Sequence, residues 1–318
     1  MIQTILLFLA GLFFLIRGGD YFVSSSVKLA GLLGIPRLII GGTLVSIATT
    51  LPELMVTATA SFQGDAHLAI GNALGSVIAN TGLVVGFSAV VRAIWVRPRD
   101  FLVSAWVMLG AAFLLSVFLI DGYFPRWGGL IMLGAGAFYL TADLIRNYRL
   151  NKRSQNPSPS GGKGKVVGKN LIFFALGALL VVAGSRLLVN SSLQIAAYFN
   201  LSTLFVGLTI IALGTSLPEL TTAIVAMRRG VVDLSLGNVV GANILGLTWV
   251  AGLAGTISPF SLERTGDILS LLGMLIFVVL LLIMGFTQSR ISRKEGLILL
   301  TLYLFYLLGA YQVGFLIN

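Results

Sequence analysis

Thr49-Thr50-Leu51-Pro52-Glu53 and Thr215-Ser216-Leu217-Pro218-Glu219 lie 166 positions apart, each inside a long apolar stretch. A carboxylate within a membrane span costs roughly 2.5 kcal/mol or more on insertion scales, so its retention points to function. Two of them, each with flanking hydroxyls and a proline, predict a duplicated cation site in a transporter. Outward from the motif the offset persists. Gly18 aligns with Gly184, Ser25-Ser26 with Ser191-Ser192, Gly41 with Gly207, Gly64 with Gly230, and Gly71-Asn72 with Gly237-Asn238. Chance likeness between apolar segments would match Leu and Ile; it would not repeat Pro-Glu and Gly-Asn at one constant spacing.

The 318 residues are 57% hydrophobic and only 10% charged, with a mean hydropathy of +0.99. That leaves too little polar surface for a soluble globule. Apolar segments of membrane-crossing length fall near 2–24, 37–60, 68–91, 101–120, 127–146, 170–192, 203–227, 234–256, 268–286 and 296–315. The formal charge of +10 resides between these spans, so it speaks of membrane topology and not of nucleic acid. The absence of cysteine removes disulfides, thiolate metal sites and cysteine nucleophiles. Met1 to Ile16 has no basic n-region and reads as the first span, not as a signal peptide.

Ten spans divide into a first repeat over residues 1–146, a Pro-, Gly-, Ser- and Lys-rich linker over 147–169, and a second repeat over 170–318. With the N-terminus outside, 17 of the 21 basic residues fall in cytoplasmic segments, from Lys28 and Arg37 to Arg293 and Lys294. The bias predicts both termini outside. Five spans per half is an odd number, so the halves must insert with opposite orientations. The expected fold is therefore all-α and polytopic, with ten transmembrane helices as two inverted five-helix repeats, a recurrent transporter plan with a midplane site.

The motif supplies hard oxygen donors. Pro52 and Pro218 cannot donate a backbone N–H and clash with the carbonyl four residues back, at Ala48 and Gly214. Thr49 and Thr215 lie one helical turn before Glu53 and Glu219, on the same face. Hydroxyl, carboxylate and carbonyl oxygens suit calcium or sodium and not copper or zinc. In the following span Asn72, Ser76 and Asn80 recur every four residues as a polar stripe, while Gly71 and Gly75 allow close helix approach. Ser76 and Asn80 are candidate cation ligands, with interhelical hydrogen bonding as the alternative. A glutamate beside a proline kink could instead be buried against a basic partner; its duplication favours the cation site.

These paired segments resemble the alpha repeats of the sodium/calcium exchanger family, in the calcium/cation antiporter superfamily and of its prokaryotic ten-helix type. Gly214-Thr215-Ser216-Leu217-Pro218-Glu219 matches the signature fully, and Ala48-Thr49-Thr50-Leu51-Pro52-Glu53 varies it at Ala48. The resemblance spans all ten segments. It implies alternating-access exchange of calcium for sodium, with helices 1 and 6 sliding across helices 2, 3, 7 and 8. It implies Glu53 and Glu219 as shared carboxylates, with Thr49, Thr50, Ser76, Asn80, Thr215 and Ser216 completing the ligand shell. It also implies a prokaryotic inner membrane, no enzyme activity and no cofactor beyond the transported ions. The expected partners are calcium, sodium and the lipid bilayer, with no nucleic acid; the oligomeric state stays open, a monomer being plausible.

One departure stands out. Ser76 and Asn80 align with Ala242 and Gly246, and Gly246 offers no side-chain oxygen where the family usually has one. Three readings follow: water and Asn243 compensate for it, the ion stoichiometry differs, or the coupling ion is a proton or potassium and not sodium. A calcium/proton or potassium-dependent antiporter is thus the alternative within transport, and a cation channel or a non-transporting scaffold the alternatives outside it. Elsewhere, an Arg17–Asp20 pair and a solvated loop position for His67 are expected.

Overall fold

Lipid offers no hydrogen bonds, so a chain this apolar can satisfy its backbone only within helices. The computed structural model, which describes residues 1–32, 45–96, 98–151, 163–228, 232–261, 265–287 and 290–316, follows that rule. The first half contains α1 (Ile2–Leu32), α2 (Val45–Thr49), α3 (Leu51–Phe62), α4 (Ala66–Ala79), the π-helical segment π1 (Asn80–Val85) and α5 (Gly86–Val91). It continues through β1 (Ile94–Trp95), α6 (Pro98–Phe118), β2 (Tyr123–Phe124) and α7 (Arg126–Asn151). The second half contains α8 (Lys163–Phe199), α9 (Thr203–Val206), π2 (Gly207–Ile211), α10 (Ala212–Thr215), α11 (Leu217–Arg228), α12 (Val232–Leu245), π3 (Gly246–Val250) and α13 (Ala251–Ile257). It ends with β3 (Phe260–Ser261), α14 (Thr265–Thr287), β4 (Arg290–Ile291) and α15 (Arg293–Leu316).

The protein is an all-α, multi-pass membrane protein. Among the described residues, nine helices are long and apolar enough to cross a bilayer. The remaining expected span, 37–60, begins at residues outside the described set, and its later part is α2 and α3. Helices α7 and α8 reach further into the 147–169 linker than expected, because a helix closes its own backbone bonds even where its side chains turn polar. Residues 152–162 lie outside the described residues.

The element boundaries repeat as the sequence does. Adding 166 to α3 (51–62), α4 (66–79) and β1 (94–95) gives α11 (217–228), α12 (232–245) and β3 (260–261). π1 and π3 begin at equivalent residues, Asn80 and Gly246. Contacts are reciprocal: β1 pairs with β4 and β2 with β3, while α7 packs on α13 and α15 on α5. Between α1 and α8, Gly11 meets the backbone of Gly184 and Leu188, and Gly18 meets that of Gly177 and Val181. A Cβ at Gly11 would lie 2.8 Å from the Leu188 nitrogen, so this contact needs glycine. Partner numbers fall as α1 numbers rise, so the two equivalent helices run antiparallel.

Burial separates centre from periphery. In the spans Ala66–Val91 and Leu236–Ile257, 78% of the most apolar window is buried, against 22% for Ile2–Phe22 and 17% for Arg293–Gln312. The main core joins Ile70, Leu74 and Val77 of α4 to Val239, Val240 and Ile244 of α12. Leu6, Leu9 and Phe13 of α1 and Leu171, Ile172 and Leu179 of α8 remain exposed, as lipid-facing side chains should. Arg17 lies over the Phe13 ring at 5.9 Å instead of forming the expected pair with Asp20. His67 falls in the first turn of α4, not in a loop.

Candidate functional site

Each motif interrupts a helix. Thr50 separates α2 from α3, and Ser216 (φ −85, ψ 2) separates α10 from α11. Proline fits the first turn of a helix, where its missing N–H costs nothing, so Pro52 and Pro218 restart the helix two residues past Thr50 and Ser216. Glu53 and Glu219 thereby fall in first turns, where the positive end of the helix favours a carboxylate. The interruption is a consequence of the motif itself.

Both carboxylates are buried, at 2% and 0% exposure. Glu219 has neither oxygen hydrogen-bonded, and Glu53 lacks a partner at Oε2. The two are near enough for their charges to interact, and the Thr49 hydroxyl faces the Glu219 carboxylate from the other half. An uncompensated charge in a low-dielectric interior is costly. No cluster of three or more His, Asp or Glu surrounds the pair among the described residues. Among the described residues no positive charge is buried beside the pair, and a cation would supply one.

Hydroxyls and amides surround the pair. Ser76 Oγ and Thr215 Oγ1 stand 3.5 Å apart across the two halves. Thr50 donates to the Ser46 carbonyl at 2.8 Å, leaving its lone pairs for another donor or an ion. Ser216 Oγ and Asn80 Oδ1 are buried without a partner. Asn80 opens π1, and π-helical turns recur at functional sites because they displace backbone bonds. The structure thus places all eight sequence-selected residues in buried positions at the helix interruptions, on α4 and at the start of π1.

Asn72 was legible as part of the polar stripe and of the repeat but was not selected as a site residue, yet it bridges the two motifs. Fully buried, it donates through Nδ2 to the Glu53 carbonyl (3.2 Å) and to Thr57 Oγ1 (3.0 Å), and its Oδ1 accepts from Thr215 (3.1 Å). The signal for it was its repeat with Asn238, which accepts from Ser46 Oγ at 3.2 Å. Asn243 donates to Thr81 Oγ1 at 2.9 Å and keeps Oδ1 free. Close backbone packing supports this network: a Cβ at Gly71 would lie 2.6 Å from the Leu204 carbonyl, and one at Gly75 would lie 2.5 Å from that of Leu208.

The model of the sodium/calcium exchanger protein family matches residues 3–144 and 169–312. Inner membrane protein YrbG of Escherichia coli (strain K12) is 35% identical, over 83% of this chain and 82% of its own. Sodium/calcium exchanger MaX1 of Methanosarcina acetivorans is 31% identical, over 97% of this chain and 98% of its own. Among solved structures, the sodium-calcium exchanger NCX_Mj is similar with a TM-score of 0.67 and 30% identity, covering 96% of this chain and 97% of that one.

Proposed function

We propose that this chain, which belongs to the sodium/calcium exchanger protein family, is a cation/calcium antiporter that couples calcium movement to sodium. The observation that carries the reading is the pair of buried carboxylates with three unpartnered oxygens, one carboxylate from each half. A divalent ion neutralises both at once, and monovalent ions neutralise them singly, so each species displaces the other. Glu53 and Glu219 serve as the shared carboxylates. Thr49, Thr50, Ser76, Asn80, Thr215 and Ser216 supply further oxygens of the hard type that calcium and sodium prefer.

The halves form an inverted repeat, 1–146 and 170–318, joined by the 147–169 linker. The antiparallel approach of α1 and α8 and the reciprocal strand pairs support this arrangement. Two halves with the same local contacts but opposite orientation give alternating access a structural basis. The distribution of basic residues supports both termini outside, and the likeness to an inner membrane protein supports a prokaryotic inner membrane.

Calcium uptake into proteoliposomes under imposed sodium, potassium and proton gradients tests the coupling. The expected result is uptake driven by a sodium gradient. Uptake that follows a pH gradient and ignores sodium would replace sodium with the proton and leave the site unchanged.

A further inference from the structure

The two halves of the site carry unequal oxygen sets. The first contributes Ser76 and Asn80 from α4 and the start of π1; the equivalent residues of α12 and π3 are Ala242 and Gly246. A Cβ at Gly246 would meet a single atom, Val77 Cγ2 at 3.3 Å, so the position lacks a side-chain oxygen without being closed to one. Ala242 is buried as well. Asn243 holds its amide on Thr81 and adds one neutral oxygen, not a charge. Of ionisable groups, the described residues bring only Glu53 and Glu219 to this place.

Two carboxylates in a water-poor interior favour occupancies whose charge balances theirs. One divalent cation does so, and so do two monovalent cations, one against each carboxylate. A third monovalent cation would find neither a third carboxylate nor a side-chain oxygen at positions 242 and 246. We propose that exchange by this chain is electroneutral, with two monovalent cations moving against each calcium ion. The inference deepens the antiport reading and rests on it, but it holds for whichever monovalent ion couples.

The test is equilibrium calcium accumulation by the full-length protein in proteoliposomes. A fixed sodium gradient is imposed and the membrane potential is clamped with potassium and valinomycin. Electroneutral exchange predicts the same accumulation at 0 and 100 mV. It also predicts a calcium ratio that follows the square of the sodium ratio. One net charge per cycle would instead change accumulation by roughly 50-fold per 100 mV, which would overturn the proposal. If a pH gradient and not sodium drives uptake, the sodium assignment fails alone, and the same clamp under the pH gradient decides the stoichiometry. Binding gives a second readout: sodium should displace calcium from the detergent-solubilised protein with a Hill slope near 2, and a slope near 3 contradicts the count. Gly246→Asp adds a third carboxylate and should make accumulation depend on potential. A Gly246→Asp protein that exchanges calcium yet stays insensitive to potential would contradict the charge argument.

Discussion

The two halves agree where the backbone is concerned and diverge where ions would bind. Helix interruptions and the π-helical segments π1 and π3 recur at equivalent residues in both, and the strand pairs are reciprocal. Their polar decoration does not: Asn72 makes three hydrogen bonds that tie the two motifs together, while Asn238 accepts one from Ser46. Ser76 and Asn80 correspond to Ala242 and Gly246 in the repeat. Both halves keep the helix interruption because the Leu-Pro-Glu motif itself imposes it, whereas a single shared site needs its oxygens only once.

The largest expected effect would break the symmetry of the carboxylates if it appeared on one side only. Glu53→Gln and Glu219→Gln should each lower calcium flux by roughly 100-fold or more, because losing one of two charges facing a divalent ion is worth several kcal/mol. Each variant should still insert, which membrane fractionation checks. A smaller difference separates the asparagines. Asn72→Ala leaves buried partners unsatisfied and should destabilise the protein by about 2–3 kcal/mol, while Asn238→Ala should cost about 1 kcal/mol, as read by thermal unfolding in detergent. Glycine packing sharpens the same contrast. Gly71→Ala should cost about 1–3 kcal/mol through overpacking against Leu204 and Gly207, whereas the exposed Gly237 should accept alanine at a cost of a few tenths. The smallest effect concerns ligand oxygens: Ser76→Ala should weaken calcium affinity about 3- to 10-fold, and Ala242→Ser should not weaken it, as measured by calcium titration of transport.

Much of this was legible before any coordinates. The repeated Leu-Pro-Glu located the helix interruptions, because proline acts on the backbone next to it and hydropathy marks the spans around it. The expected midspan position of Glu53 and Glu219 matches buried first-turn positions in α3 and α11. What was not legible depends on which residues face one another across the halves. Asn72 signalled as a stripe member and a repeated residue, but its bridging role needs Thr215 at 3.1 Å, 143 residues away. The ends of α7 and α8 ran past the hydropathy boundary because helix continuation needs no apolar side chain. The Arg17 contact with Phe13 replaced an ion pair that spacing alone suggested, as an exposed guanidinium gains little from an exposed carboxylate.

That Glu53 and Glu219 form one site, and not two half-sites, is tested most directly by equilibrium calcium binding to the purified protein. Binding by wild type, Glu53→Gln, Glu219→Gln and the double variant would be compared. A shared site predicts that each single change abolishes binding to the same degree, roughly 100-fold or more in Kd, with the double change no worse than either. Wild-type affinity in either single variant would contradict it.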